Sequence, residues 1–240
     1  MIRGVLFDKD DTLLDLATFW REPVRQTVAF ILRERTREND KALLQALEAA
    51  CGFDGDALIP ESPVVAGTNA DVVRAMMDVL ATRSIHTEDD TLFAQLTETY
   101  LELACLRHGT CQPTGDLHAV LDALHAVGIR TGVATSDSYA STIHALKKLG
   151  IAEKIDCVLT ADRVARPKPA PDMAEIFCAR CGFTPEEVAM VGDSANDMRF
   201  ATGAGLTAIY FNRNTGTPTD IQADAVIDRL EKLPSLLHIL

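Results

Sequence analysis

Near its start the chain reads Gly4-Val5-Leu6-Phe7-Asp8-Lys9-Asp10-Asp11-Thr12-Leu13, a short apolar run followed at once by acidic residues. The run from Val5 to Phe7 is long enough for a buried parallel strand and too short for a helix. In extended backbone, side chains two residues apart project to one face, so Asp8 and Asp10 share a side. Two neighbouring carboxylates repel each other. A bound cation would relieve that repulsion and leave one carboxylate available as a nucleophile.

The composition is that of a globular protein somewhat larger than one average domain, with 240 residues, 47% of them hydrophobic and 24% charged. A formal net charge of -12 argues against nucleic acid or an anionic membrane as the main partner. Apolar runs fall short of the ~18 residues that a membrane helix needs. Because Met1-Ile2-Arg3 leads directly into the first strand and leaves no room for a signal peptide, we expect a cytoplasmic protein, either a monomer or a homodimer.

Helical periodicity dominates the region after the first strand. It predicts helices over about 18–37, 40–51, 69–80 and 88–107, with a loop over 55–67. Four helices without a strand between them indicate a small all-helical bundle inserted into another domain. We interpret residues 16–111 as this cap domain.

From Pro113 onward, helices and strands alternate. Strands are predicted over about 129–135, 155–159, 187–191, 206–211 and 224–227, and helices over about 116–127, 139–149, 172–181, 197–204 and 230–240. This alternation predicts an α/β core domain with a Rossmann-like, doubly wound parallel sheet, formed by residues 1–15 and 112–240.

Polar residues also stand at the predicted ends of two later strands and in a proline-rich loop. Thr135 and Ser136 end a strand where hydroxyl and backbone N–H groups are able to hold phosphoryl oxygens, although an ordinary helix cap would use the same residues. Lys168 lies between two prolines that fix its direction, which suits a lysine aimed at carboxylates or phosphate. Asp193 and Asp197 offer hard oxygen ligands suited to Mg²⁺, although either alone would also be explained as an acid at a helix start.

Together these segments resemble the four motifs of the haloacid dehalogenase superfamily, in its phosphatase branch with a helical cap. The matching residues, in chain order, are Asp8, Asp10, Thr12, Thr135, Lys168, Asp193 and Asp197. The amino-acid sequences of the later motifs are most similar to those of phosphoglycolate phosphatases. The resemblance covers nearly the whole chain, because the predicted helical bundle falls between the first and second motifs.

The resemblance implies a Mg²⁺-dependent hydrolysis of a small phosphate monoester, with Asp8 as the nucleophile and Asp10 as the general acid and base. It implies that Mg²⁺ is held by Asp8, by the backbone carbonyl of Asp10 and by Asp193, with Asp197 assisting. Phosphate contacts are expected from Thr135, Ser136 and Lys168, and Thr12 is expected to fix the loop. A phosphomutase of the same fold, a haloacid dehalogenase and a non-catalytic sensor of a phosphorylated ligand remain alternatives.

Two positions depart from the family pattern, because residue 9 is usually apolar and residue 11 is usually glycine. Asp11 tolerates a left-handed backbone better than most residues, so we expect the turn to persist. Lys9 is expected to pair locally with Asp11 or Asp15, and the alternative is a second contact to the phosphate.

A small phosphorylated metabolite is the expected partner, and an acidic protein needs local cations to bind it. Three arginines of the predicted cap are candidates for binding a carboxylate of the leaving group: Arg21, Arg25 and Arg74. Arg21 and Arg25 lie four residues apart and therefore share one face of a helix.

Overall fold

The computed structural model describes residues 1–35, 40–85, 90–106, 111–213 and 221–238. The chain divides into two compact units, one formed by Met1–Asp15 with Gln112–Leu240 and the other by Leu16–Cys111. We call them the core unit and the helical unit. The interpretation of the helical unit as a cap stays a proposal.

The strands and helices are as follows. The strands are β1 (Gly4–Phe7), β2 (Phe53–Asp54), β3 (Ala57–Leu58), β4 (Arg130–Thr135), β5 (Cys157–Thr160), β6 (Val188–Gly192), β7 (Thr207–Phe211) and β8 (Ala225–Ile227). The helices are α1 (Leu16–Arg35), α2 (Lys41–Cys51), α3 (Pro63–Ala66), α4 (Asn69–Thr82), α5 (Asp90–Leu106), α6 (Leu117–Ala126), α7 (Tyr139–Lys148), α8 (Asp172–Cys181), α9 (Ala195–Ala204) and α10 (Leu233–Leu237).

In the described part of the core unit, six strands form one sheet in the order β5-β4-β1-β6-β7-β8, and every neighbouring pair is parallel. The central strand β1 pairs with β4 and β6, and Phe7 lies opposite both Val133 and Val191. The carboxyl ends of these three strands therefore lie side by side. Residues that follow them are brought to one edge of the sheet.

Both faces of this sheet are covered by helices. Val5 and Phe7 pack into a buried cluster with side chains of α6, α7 and α10, whereas Leu6 packs into a second cluster with side chains of α8 and α9. Alternate residues of a strand project to opposite faces, so the continuous apolar run of β1 fills both layers. The doubly wound α/β sheet predicted from the sequence is confirmed.

The helical unit is built mainly from α1, α2, α4 and α5, each of which buries apolar side chains. In α1 and α5, the rings of Trp20 and Tyr100 stack with centroids 5.5 Å apart. Parts of the predicted helices at 36–37, 88–89, 107 and 239–240 lie outside the described residues. No helix in the described ranges combines the length and the hydrophobicity that crossing a membrane requires.

The prediction of a loop over residues 55–67 is wrong in part. Phe53 pairs with Leu58 across a tight antiparallel hairpin, and Gly55 in its turn has a φ of 58°. Such a turn requires a left-handed backbone, which glycine adopts without steric cost. Pro63 then begins the short helix α3, because proline at the first helical position has the required φ and lacks an N–H that would have no partner.

Candidate active site

Asp8 lies directly beyond β1, at the edge where β1, β4 and β6 end. Its backbone N–H donates to the carbonyl of Val191 at 2.9 Å, which extends the pairing of β1 with β6 by one residue. Its side chain is 11% exposed. The strand register therefore places this residue near the centre of the sheet edge, between the ends of β4 and β6.

Lys168 connects two of the acids. Its Nζ lies 2.6 Å from Oδ1 of Asp8 and 2.6 Å from Oδ1 of Asp197, and all three side chains are buried. Burial alone would lower the pKa of Lys168, but the charges of Asp197 and Asp8 outweigh it and raise that pKa above its ordinary value. The lysine is therefore held as a cation beside the end of β1.

Asp197 is fixed from its other side by the start of α9. Ser194 caps this helix, and its backbone N–H and Oγ donate to Oδ2 of Asp197 at 3.1 and 2.5 Å. Gly192 makes room for this arrangement, since a Cβ at that position would lie 2.5 Å from the Cβ of Asp197. The glycine that ends β6 is thus required by a close approach of the following helix.

Carboxylate oxygens of Asp8, Asp193 and Asp197 all lie within 4.8 Å of one another. Burial raises the pKa of Asp8 to about 7, with the charges of Asp197 and Asp10 adding to the rise and Lys168 opposing it. The pKa of Asp193 is raised well above its ordinary value by burial and by the charges of Asp197 and Asp8. Hard oxygen donors that repel each other in a buried cluster fit a divalent cation such as Mg²⁺, which would offset the negative charge.

The loop after β1 is tied to this cluster by Thr12. Its Oγ1 donates to Oδ1 of Asp193 at 3.2 Å, and its carbonyl accepts from Oγ1 of Thr114 at 2.5 Å. Asp11 has a φ of 52°, which confirms the prediction that an aspartate keeps the turn in a left-handed conformation. The turn therefore persists without the glycine.

The prediction that Lys9 pairs with Asp11 or Asp15 is wrong. Lys9 is fully buried, and its Nζ lies 2.8 Å from the carboxylate of Asp10 and 3.2 Å from that of Asp137. The reason is that Lys9 enters the space between the ends of β1 and β4, where these are the nearby acids. Arg213 takes the expected partners instead, at 3.0 Å from Asp11 and 2.8 Å from Asp15.

Asp137 and Arg213 were not among the residues expected at the site from the sequence. Asp137 follows Thr135 by two residues, so its position after a strand was an available signal. Thr135 is buried, and its Oγ1 accepts from the backbone N–H of Asp137 at 3.2 Å. The neighbouring Ser136 is half-buried in the same loop.

The three candidate arginines each pair with a carboxylate inside the helical unit. Arg21 contacts the carboxylate of Asp56 in the hairpin turn, and its Nη2 donates to the Asp56 carbonyl at 2.5 Å. Arg25 lies 3.7 Å from the same carboxylate and 3.6 Å from that of Glu48. Arg74 pairs with Asp71 at 2.9 Å, one turn away on α4. The structure thus brings Arg21 and Arg25 together on one acid and leaves Arg74 with a different one.

Comparison with known proteins gives a consistent family. A model of the haloacid dehalogenase-like hydrolases matches residues 2–205. The probable phosphatase IndB of Dickeya dadantii is 33% identical over 123 residues, which are 50% of this chain and 54% of that protein. The phosphoglycolate phosphatase of Salmonella paratyphi A is 36% identical over 89 residues, 37% of this chain and 35% of that protein. The chain therefore spans about half or less of the length of these curated relatives.

A solved structure shares the fold over nearly the whole length. The predicted phosphoglycolate phosphatase from Haemophilus somnus 129pt aligns with a TM-score of 0.71 and 17% identity, covering 98% of each chain. At that identity the likeness concerns the fold alone. The aligned length includes the helical unit as well as the core unit.

Proposed function

The chain belongs to the haloacid dehalogenase-like hydrolase family, and we propose that it is a phosphatase acting on a small phosphate monoester through an aspartyl-phosphate. The observation that carries the proposal is the pairing of Asp8 with Lys168 at 2.6 Å within a cluster of acids at the ends of β1 and β6. A carboxylate in that place is a nucleophile, and the cation beside it offsets the charge of an incoming phosphoryl group. The phosphatase names of IndB and the Salmonella protein support this assignment.

The chain's own residues account for the proton and bond changes of the reaction. An Oδ atom of Asp8 attacks phosphorus, so that an O–P bond forms while the ester P–O bond on the opposite side breaks. Asp10 gives a proton to the departing alkoxide and then removes one from the water that attacks the aspartyl-phosphate. The bond between phosphorus and Asp8 breaks, and inorganic phosphate leaves. The phosphoryl oxygens are held by Lys168, Thr135 and Ser136. Thr12 fixes the loop that carries Asp8 and Asp10 by its hydrogen bond to Asp193.

Mg²⁺ is the proposed cofactor, because the acid cluster offers it hard oxygen ligands and its positive charge would reduce the repulsion among the three carboxylates. The ion would be held by Asp8, the backbone carbonyl of Asp10 and Asp193, and Asp197 would help to orient these ligands without contacting the ion. When bound, the ion supplies positive charge to the phosphoryl group. Asp197 suits the outer position because Lys168 and Ser194 already donate to its two oxygens.

The proposed substrate is a small carboxylated ester such as 2-phosphoglycolate, and at least one of Arg21, Arg25 and Arg74 contacts its carboxylate. The name of the Salmonella relative supports this choice. A guanidinium matches a carboxylate with two parallel hydrogen bonds, and Arg21 and Arg25 already gather around the carboxylate of Asp56. The cytoplasmic location and the monomeric or homodimeric state stay predictions.

Phosphate release from a panel of monoesters tests the function, with and without Mg²⁺. We expect Mg²⁺-dependent release, with 2-phosphoglycolate preferred over uncharged sugar phosphates and p-nitrophenyl phosphate. Interconversion of a substrate without net phosphate release would identify a phosphomutase. Release of halide from 2-haloacids would identify a dehalogenase. Binding of phosphorylated ligands without turnover would identify a sensor, and any of these three results would overturn the proposal.

Arginine variants on the same panel test the substrate. Replacing the arginine that contacts the carboxylate with alanine is expected to raise KM for 2-phosphoglycolate about tenfold, the effect of one charged hydrogen bond, and to spare p-nitrophenyl phosphate. Arg33→Ala is the matched control, because Arg33 also lies on α1 and pairs with its neighbour Glu34 at an exposed position. If Arg21→Ala, Arg25→Ala and Arg74→Ala all affect the two esters alike, the proposed role of these arginines is wrong.

A further inference from the structure

Lys9 is a fully buried lysine that the proposed mechanism does not use. It is 0% exposed and follows the proposed nucleophile directly in sequence. Burying an ammonium costs free energy, and a buried ion pair often stabilises a fold no better than apolar residues of the same shape. Fold stability alone therefore gives little reason for a lysine at this position.

The contacts of Lys9 fix the orientation of Asp10. Its Nζ lies 2.8 Å from Oδ1 and 2.8 Å from Oδ2 of that residue, so the ammonium holds both carboxylate oxygens and restrains rotation of the group. Each carboxylate oxygen has two lone pairs, so this contact leaves the oxygens able to exchange a proton. Asp10 has 17% of its side-chain surface exposed, whereas the side chain of Lys9 is completely covered.

On its other side, Lys9 reaches the loop after β4. Nζ lies 3.2 Å from the carboxylate of Asp137. Asp137 is itself fixed within its loop, because its carboxylate accepts from the backbone N–H of Ser138 at 2.6 Å and its own N–H donates to Oγ1 of Thr135 at 3.2 Å. A continuous set of polar contacts thus runs from Asp10 through Lys9 and Asp137 to Thr135.

We propose that Lys9 is a positioning residue that holds the Asp10 carboxylate in place for proton transfer and couples it to the loop that follows Thr135, the last residue of β4. This inference rests on the acid and base role proposed above for Asp10. Proton transfer requires the acid within hydrogen-bond reach of the leaving oxygen, and a group free to rotate spends less time there. Lys9 supplies the restraint from the buried side, away from the solvent-accessible part of Asp10.

The test uses the dependence of kcat/KM on the leaving group. An alkyl phosphate such as 2-phosphoglycolate needs a proton on its departing alkoxide, whereas the p-nitrophenolate ion is stable without one. Lys9→Met is therefore expected to lower kcat/KM about 30-fold or more for the alkyl ester and less than about threefold for p-nitrophenyl phosphate, because it forfeits part of a general-acid contribution of about 10²–10⁴-fold. Asp10→Asn is the reference, and it should show the same selectivity more strongly.

Two further variants separate positioning from loss of structure. The double variant Lys9→Met/Asp137→Asn removes the lysine and its second acid together, so that no unpaired charge is left at Asp137. If the single variant folds poorly, the double variant should still show the same selectivity for the leaving group. Thr131→Val removes a buried hydroxyl at the opposite end of β4, which donates to the Lys154 carbonyl at 2.7 Å. This control should affect both esters equally. Thermal unfolding of each variant reports its stability.

The outcomes distinguish this inference from the proposed function. Suppose that the wild-type protein and Asp10→Asn behave as expected. If the Lys9 variants then lower kcat/KM equally for the two esters, or leave both values unchanged, the positioning role is wrong and the phosphatase proposal stands. If Asp10→Asn shows no selectivity for the leaving group, the role of Asp10 is wrong and this inference falls with it. Selective loss for the alkyl ester in the Lys9 variants, absent in Thr131→Val, supports the inference.

Discussion

Replacing Asp8 with asparagine is expected to lower phosphate release by more than about 10³-fold, the scale of losing a nucleophile. The amide has nearly the same shape as the carboxylate but lacks a nucleophilic oxygen. Its carbonyl still accepts from Lys168, whose Nζ lies 2.6 Å from Oδ1 in the native protein. The change also removes one of the negative charges that crowd this edge of the sheet. We therefore expect the variant to fold normally.

Asp162→Asn is the matched control for this experiment. Asp162 follows β5 at the same edge of the sheet and accepts from Oγ1 of Thr160 at 2.6 Å, but it is not one of the three clustered acids. Its variant should retain the wild-type rate in the same Mg²⁺-dependent assay, and circular dichroism should show both proteins folded. More than a tenth of the wild-type rate in Asp8→Asn would contradict the covalent mechanism.

The positions of the clustered acids were predictable because parallel strands end at one edge of a sheet. Asp8 and Asp193 each follow an apolar strand, and Asp197 lies in the first turn of the helix after β6, so the prediction required only the number of strands and their direction. In the structure, Phe7 of β1 lies opposite Val191 of β6, and this register places Asp8 beside the end of β6. The backbone of Asp11 was predictable for a local reason, namely the tolerance of aspartate for positive φ.

The partners of the charged residues around these acids were not predictable in the same way. Lys9 reaches Asp137 because β4 is the neighbour of β1, and Arg213 reaches Asp11 from the end of β7. Those pairings depend on strand order and on which way a long side chain turns. Asp11 and Asp15 were expected for Lys9, but its partners are Asp10, the next residue in the chain, and Asp137, which only the tertiary structure brings near.

The helical unit shows the same difference between local and distant information. The spacing of Arg21 and Arg25 predicted a shared face of α1, and both arginines lie near the carboxylate of Asp56. Their common partner lies in a hairpin that the sequence pattern did not reveal, because β2 and β3 have only two residues each. Strands of that length show no periodicity from which they could be recognised.

Mg²⁺ binding is expected to depend far more on Asp193 than on Asp197. Asp193→Asn should weaken Mg²⁺ binding by more than about 100-fold, because it removes a charged ligand. Asp197→Asn should weaken it only about tenfold, the effect of a residue that orients ligands without contacting the ion. The contrast follows from the contacts: Asp197 is 1% exposed and receives donors on both oxygens, whereas the side chain of Asp193 is partly exposed and accepts from Thr12 at 3.2 Å.

Calorimetric titration of Mg²⁺ into the metal-stripped variants measures this difference without relying on activity. Asp224→Asn is the control, since Asp224 is an acid of the core unit that accepts from the backbone N–H of Ala208 at 2.8 Å, outside the cluster. Its Mg²⁺ affinity should equal that of the wild-type protein. Equal losses in the Asp193 and Asp197 variants would mean that both acids contact the ion, each carboxylate oxygen of Asp197 using its second lone pair beside the hydrogen bond from Lys168 or Ser194.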